Sequence, residues 1–454
     1  MSNQMSLVSD NYIWDISDRS PDSRHFRTSF KSDSDAYELG EIIRITIPPS
    51  DRSFLNTQNS WLNLTISDAS FVGTGIVSTS DICMSYIGGS SAFDSVSVIG
   101  TANQYVQHST NYQSMFALNY INNTDVSNGF TNSITNHSAT IEPAEYSKMI
   151  GQSIPITIAS ATSANLTSEI KMSIPLSGIF DSSRSLPLGM LASEITLEIY
   201  LANDIRKIFW NKAANGSVTG GSVTFKAELD SQIEVVTPNA FREIQSNARE
   251  GPSKIISWSE VDQRCSSSTI TVAELNSVSL NEKSQLLTGV KPRKLQSITS
   301  AAFKDPNGSS DPWACCCPWD DDNSGVQLSI GNDYFPPRKI QNRAEIVRHV
   351  QECYNQHALT TQSNRITNAA WSRRHPSLLT AVKDDTIRGC WGIDLTSFDK
   401  QSDGIDVSHD NILINGNLKL DPQITATQSY NLIVVKKFAV LYSISEGGDW
   451  SVSY

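Results

Sequence analysis

The chain has 454 residues, 18% of them charged, and a formal net charge of −12. Such a length supplies core for roughly two or three domains, and the acidic balance argues against a chain that wraps nucleic acid, because phosphate neutralisation needs clustered Lys and Arg. Ser, Thr and Asn fill the charge deficit, which suits antiparallel β proteins with polar, uncharged turns and outer faces.

Residues 1–38 are rich in Ser, Asp and Arg and read as an arm or loosely packed lead-in. Regular alternation starts at Glu41-Ile-Ile-Arg-Ile-Thr-Ile47 and stops at Pro48-Pro49. It resumes at Trp61-Leu-Asn-Leu-Thr-Ile66 and at Ser95-Val-Ser-Val-Ile99. Between Tyr105 and Ile121, Tyr112, Met115, Phe116 and Tyr120 recur at helical spacing, predicting a short helix in a β region. Residues 122–168 are polar and read as surface loops.

Next come Met172-Ser-Ile-Pro-Leu-Ser-Gly-Ile-Phe180 and Glu194-Ile-Thr-Leu-Glu-Ile-Tyr-Leu201. In the second piece Ile195, Leu197, Ile199 and Leu201 face one way and Thr196, Glu198 and Tyr200 the other, the period of a half-buried strand. Pro175 cannot donate to a ladder, so it belongs at an edge, a bulge or a strand end. Ser222–Leu229 is a further strand, alternation fades from Ile233 to Gly251, and Arg249-Glu-Gly-Pro252 is turn chemistry that places a domain boundary there. The second half predicts strands at Lys254–Trp258, Thr269–Val272, Leu295–Phe303, Gly325–Ile330, Cys390–Leu395, Asn411–Leu420, Tyr430–Ser445 and Trp450–Tyr454. One helix interrupts them, from about Arg343 to His357, with Asn342 as cap and Glu345 as its return partner. Two halves of short strands divided by turn signals indicate a duplicated sandwich or jelly roll, although no residue-level repeat is visible.

Four segments, in this order, resemble the double-jelly-roll major capsid proteins of polintons, adintoviruses and virophages. They are Glu41–Pro48 with Trp61–Ile66; Ala92–Gly100 running on to Tyr112–Tyr120; Ile174-Pro-Leu-Ser-Gly-Ile-Phe180; and Tyr430–Tyr442 with Gly448–Tyr454. Asp181-Ser-Ser-Arg-Ser185 replaces the aromatic sequence that often follows the proline motif, and residues 305–325 have no counterpart. The resemblance implies an all-β chain with a few short helices: an arm (1–38) and two tandem jelly-roll barrels (39–250 and 251–454). It implies a major capsid protein that forms pseudo-hexagonal homotrimeric capsomers of an icosahedral DNA virus and resides in the virion. Its partners would be neighbouring capsomers, pentons and minor or cement proteins, with no sequence-specific nucleic-acid binding; an internal membrane is left open.

No run of about 18 apolar residues occurs, so no transmembrane helix is expected, and Met1 to Asp18 lacks the form of a signal peptide. The acceptor sequences at Asn63, Asn122, Asn136, Asn165, Asn215 and Asn307 are therefore read as composition. Cys83, Cys265, Cys353 and Cys390 stand alone, which suits a reducing compartment. Three local clusters offer metal chemistry and are each read more simply. Cys315-Cys316-Cys317 is read as small apolar residues in an aromatic-flanked loop. Asp305, Asn307, Ser309 and Asp311, with Asp320–Asp322 nearby, lack the offsets of a calcium loop and read as a solvated acidic turn. His349, Cys353 and His357 lie four apart along the predicted helix and read as packing. The basic clusters Lys291–Lys294, Arg338–Arg348 and Arg373-Arg374-His375 read as surface charge rather than a nucleic-acid face. No Gly-x-Ser-x-Gly, phosphate loop, His-Glu-x-x-His or dinucleotide fingerprint occurs, so no catalytic residue, cofactor or metal is assigned. The rival readings are a glycan- or receptor-binding spike or lectin, prompted by the aromatics of Trp313–Trp319; a sandwich-type carbohydrate enzyme; and a minor capsid protein.

Overall fold

The computed structural model describes residues 23–85, 87–100, 104–123, 140–141, 149–150, 153–181, 185–213, 215–248, 256–271, 278–282, 292–309, 311–313, 316–317, 326–340, 343–354, 390–396, 404–408, 411–416 and 429–453. Eight strands of the first half make one barrel: β1 (Arg24–Lys31), β2 (Ile42–Ile47), β3 (Ser53–Thr74), β4 (Phe93–Ile99), β5 (Tyr105–Thr110), β6 (Ile170–Pro175), β7 (Ile195–Leu201) and β8 (Ser217–Val235). Eight of the second half make another: β9 (Ile256–Thr271), β10 (Val278–Glu282), β11 (Lys294–Lys304), β12 (Val326–Ile330), β13 (Asp333–Ile340), β14 (Trp391–Asp394), β15 (Ile412–Gly416) and β16 (Ser429–Ile444). Helix α1 (Tyr112–Asn123) follows β5, α2 (Pro238–Ala248) follows β8 and α3 (Arg343–Cys353) follows β13.

The two barrels share one topology. In the first, sheet one runs β1-β8-β3-β6 and sheet two runs β2-β7-β4-β5. In the second, sheet one runs β9-β16-β11-β14 and sheet two β10-β15-β12-β13. Each strand thus matches the one eight places later, and the chain crosses between the sheets as a jelly roll does. Among the described residues no strand ladder joins the halves. The chain is a double jelly roll.

Alternation builds the first core. Ile43, Ile45 and Ile47 of β2 and Ile195, Leu197 and Ile199 of β7 are buried, paired Ile47 to Ile195 and Ile43 to Ile199. Pro175 ends β6 opposite Trp61, where its missing donor does no harm. Beyond it, Ile179 N donates to Gln107 Oε1 at 2.8 Å and Ser177 N to the Tyr112 hydroxyl at 3.1 Å. Gly178 has φ +83°, and a Cβ there would sit 1.7 Å from Gln107 Nε2, so only glycine fits this crossing. The proline motif therefore locks β6 onto β5 and α1.

Several sequence expectations are corrected. The 1–38 lead-in contains β1, a full edge strand paired along β8 from Arg24–Val235 to Lys31–Glu228; its Phe26 and Phe30 are too sparse among charges to mark it. The expected helix from Tyr105 divides into β5 and α1, because Val106, Gln107 and Ser109 are buried at strand spacing. The loop region 122–168 includes a hairpin, Ile156–Ser160 with Ser163–Leu166, added beside β3. The stretch after Ile233 continues β8 and then forms α2, docked by Phe241 against Phe54 at 6.2 Å. The pieces Lys254–Trp258 and Thr269–Val272 join as one strand, β9, paired along β16 from Ile256–Ile444 to Thr271–Ser429. Its middle is polar, so no apolar period betrays it. Asn342 and His357, at the ends of the expected second-half helix, lie outside the described residues.

Candidate functional site: the seam between the barrels

The outer face of sheet two of the first barrel meets sheet one of the second. Strand β5 presents Val106, His108 and Thr110 on that face, since alternate residues share a side. Thr110 Oγ1 donates to Cys265 O at 3.0 Å, fixing β5 on β9. Nearby, Asn119 Nδ2 of α1 donates to Gln263 Oε1 at 2.9 Å, and the Tyr354 hydroxyl donates to Asn119 Oδ1 at 3.1 Å. At the other end Ala192 N donates to Gly448 O at 3.0 Å, and Trp450 packs beside Gly100. As a result β11 and β16 are buried on both faces, including Lys436 at 3% exposure. An antiparallel sheet with one free face would keep such a lysine wet.

A second clamp comes from the loop after β11. Gly308 O accepts from both Asn211 N and Val218 N at 2.9 Å. Its φ is +69°, and a Cβ would lie 1.8 Å from Val218 O. Asp311 Oδ1 accepts from Ser85 Oγ at 2.8 Å and from Trp313 N at 3.0 Å, and Asp311 is 5% exposed. Trp313 Nε1 donates to Lys207 O at 2.9 Å while its ring packs on Phe303. Asp305 accepts from Ser429 and Asn431 side chains. The expected solvated acidic turn is instead a pin driven from the second barrel into the first. At its tip Ser309 N donates to Asn307 Oδ1 at 3.0 Å, closing the turn that carries Gly308.

A polar row crosses the seam. Arg44 Nε donates to Glu198 Oε1 at 2.7 Å; Glu198 stands opposite Ser97 in the next strand pair. Ser97 Oγ lies 2.6 Å from His108 Nδ1, and those residues are also cross-strand partners. Beyond His108 lies the buried pair Arg264 Nε to Asp262 Oδ2, 2.9 Å, with Lys436 opposite Arg264 in β16. Burial pushes the His108 pKa down, the Arg264 charge adds to that push, and Asp262 and Glu198 oppose it.

The other sequence candidates do not converge. His349 contacts Glu352 at 3.0 Å and Arg348 at 3.2 Å, whereas the Cys353 thiol sits on Ile298 O with its pKa pushed well up by burial. Cys315, Asp320–Asp322 and Arg373–His375 lie outside the described residues, as do Asn122 and Asn136 in their side chains. Cys316 and Cys317 pair by backbone with Phe303 and Ala302. Among the described residues no three His, Cys, Asp or Glu side chains gather for a metal ion. Cys83, Cys265, Cys353 and Cys390 are buried and outside any disulfide. In the Arg338–Arg348 cluster, Arg338 pairs with Glu345 at 2.7 Å and Arg348 approaches Glu352 at 3.6 Å. Lys294 is exposed at the start of β11, and Lys291 lies outside the described residues. The aromatic that prompted a glycan-binding reading, Trp313, is buried in the pin, and Trp319 lies outside the described residues. Of the seam, sequence reading missed His108, Asp262, Arg264, Gly308 and Asp311. The signal for β9 was charged residues flanked by strand-forming ones.

No protein-family model and no curated protein sequence matches the chain. Solved structures do match its fold. A chain of the Sputnik virophage, solved by cryo-EM, aligns with a TM-score of 0.61 at 10% identity, covering 95% of this chain and 88% of that one. The mavirus major capsid protein aligns at 0.58 and 11% identity, covering 94% and 90%. The Faustovirus major capsid protein aligns at 0.53 and 8% identity, covering 97% and 98%. These neighbours are viral structural proteins rather than enzymes, and at such identities the likeness is one of fold. No described helix is long and apolar enough to cross a membrane.

Proposed function

We propose that this chain is the major capsid protein of an icosahedral DNA virus and that three copies close into a pseudo-hexagonal capsomer. The observation that carries the reading is the pair of topologically equivalent barrels fixed side by side through a hydrogen-bonded seam. Three such rigid pairs under cyclic symmetry give six barrels around one axis. The fold shared along the whole chain with viral capsid proteins supports the same reading. In this reading the barrels span β1–α2 and residues 251–454. The partners are further capsomers, pentons and minor or cement proteins, and the place of action is the virion shell.

Light scattering and negative-stain imaging of the purified protein test this. The expected particle is about 150 kDa, three copies of a 49.9 kDa chain, with a six-cornered outline. A persistent monomer that never tiles would overturn it.

A further inference from the structure

We propose that the polar row through His108 is an acid-sensitive latch between the two barrels. On the first barrel the row runs Arg44 on β2, Glu198 on β7, Ser97 on β4 and His108 on β5; on β9, held against β5 by the Thr110–Cys265 bond, the paired Arg264 and Asp262 act on the imidazole through their charges. Glu198 is 8% exposed, Ser97 0%, Asp262 1% and Arg264 7%, while His108 itself is half-buried. Thr110, two residues along the same face, is tied to Cys265, the neighbour of Arg264.

Near neutral pH the imidazole is uncharged and sits against Ser97 Oγ. Protonation there would put a second cation near the buried Arg264 guanidinium. Within the site, the carboxylates of Asp262 and Glu198 are engaged by Arg264 and Arg44. Opening the seam hydrates His108 and returns it to the ordinary histidine pKa of about 6.5. The sign follows. The closed state holds the lower pKa, so it binds fewer protons than the open state below about pH 6.5. Its advantage is complete above that pH and shrinks as pH falls toward the depressed value. Within that window the open-to-closed ratio rises by up to about tenfold per pH unit. Tyr105, on the same strand, packs its ring 5.3 Å from His108. The latch belongs to the monomer fold, so it stands or falls separately from trimer formation.

Hydrogen exchange of the full chain at pH 7.5 and pH 5.0, corrected for intrinsic amide rates, tests the latch. Peptides spanning β5 and β9 should lose protection severalfold at pH 5.0, while the β3–β8 ladder holds. In His108→Gln, which keeps a polar group toward Ser97 but cannot be charged, the seam should stay protected at both values. Protection at the seam that does not change with pH in the wild type would overturn the latch, as would an equal loss in His108→Gln. His108→Asn serves as the second neutral variant, and the wild-type measurement decides by itself if neither variant folds.

Discussion

Strands β1 and β9 hold the same place in the two barrels, each the edge of sheet one, and they meet opposite fates. Along β1, Arg24, His25, Arg27 and Lys31 are exposed, and charge on the rim discourages a stray strand from adding there. Along β9, Asp262 and Arg264 are buried, and β5 of the first barrel bonds to their neighbour Cys265. A charged stretch in a strand therefore has two physical meanings. It marks a free edge kept wet, or an edge taken up by a neighbouring domain with its charges paired.

The largest effect should come from breaking the buried pair. Asp262→Ala leaves the Arg264 guanidinium dry beside Lys436, and loss of one partner of a buried pair costs about 3–5 kcal/mol. Calorimetry should show the transition of the second barrel falling first. Replacing both members together, Asp262→Leu with Arg264→Met, should recover most of that loss, since the desolvation cost leaves with the charges. If the single variant is as stable as the wild type, β9 is wet and the contrast with β1 fails.

The pin should come next. Trp313→Ala removes a ring packed on Phe303 and the bond to Lys207 O, a loss of about 3 kcal/mol for a large buried aromatic. Because the ring belongs to one barrel and its bond reaches the other, limited proteolysis should cut near residue 313 sooner in the variant. Unchanged proteolysis would mean the loop does not hold the barrels together.

Gln107→Ala tests the first barrel alone. It strands Ile179 N, a buried donor, at about 1–3 kcal/mol. Denaturant midpoints should fall while seam exchange stays as in the wild type. A loosened seam would show that the proline motif serves both barrels.

Legibility in the sequence followed wetness. β2 and β7 have one polar and one apolar face, so Ile43, Ile45, Ile47 and Ile195, Leu197, Ile199 stand out at period two. β11 lies where both faces are covered, and buried Ser297, Thr299 and Ser300 carry no such contrast. The helix α2 did carry a signal that went unread: Thr237 caps Ala240 N and Pro238 takes the first helical position. The duplicated topology was legible only as two similar runs of strands, because topology constrains where strands go and leaves their residues free. The seam was illegible because its residues, His108, Asp262, Arg264 and Gly308, come from distant segments that only the fold brings together.

The smallest effect completes the contrast at β1. Arg27 Nη1 lies 3.0 Å from Asp230 Oδ2, a distance close to that of the Arg264 pair, yet its side chain is 59% exposed. Water already solvates both groups, salt screens them, and holding a long side chain still costs entropy. Arg27→Ala should therefore change the unfolding free energy by at most about 0.5 kcal/mol. Two ion pairs of nearly equal length would then carry several-fold different weight in β1 and β9. A loss above about 2 kcal/mol at Arg27 would mean that another surface covers β1 in solution, and the edge strand of the first barrel would be a second seam.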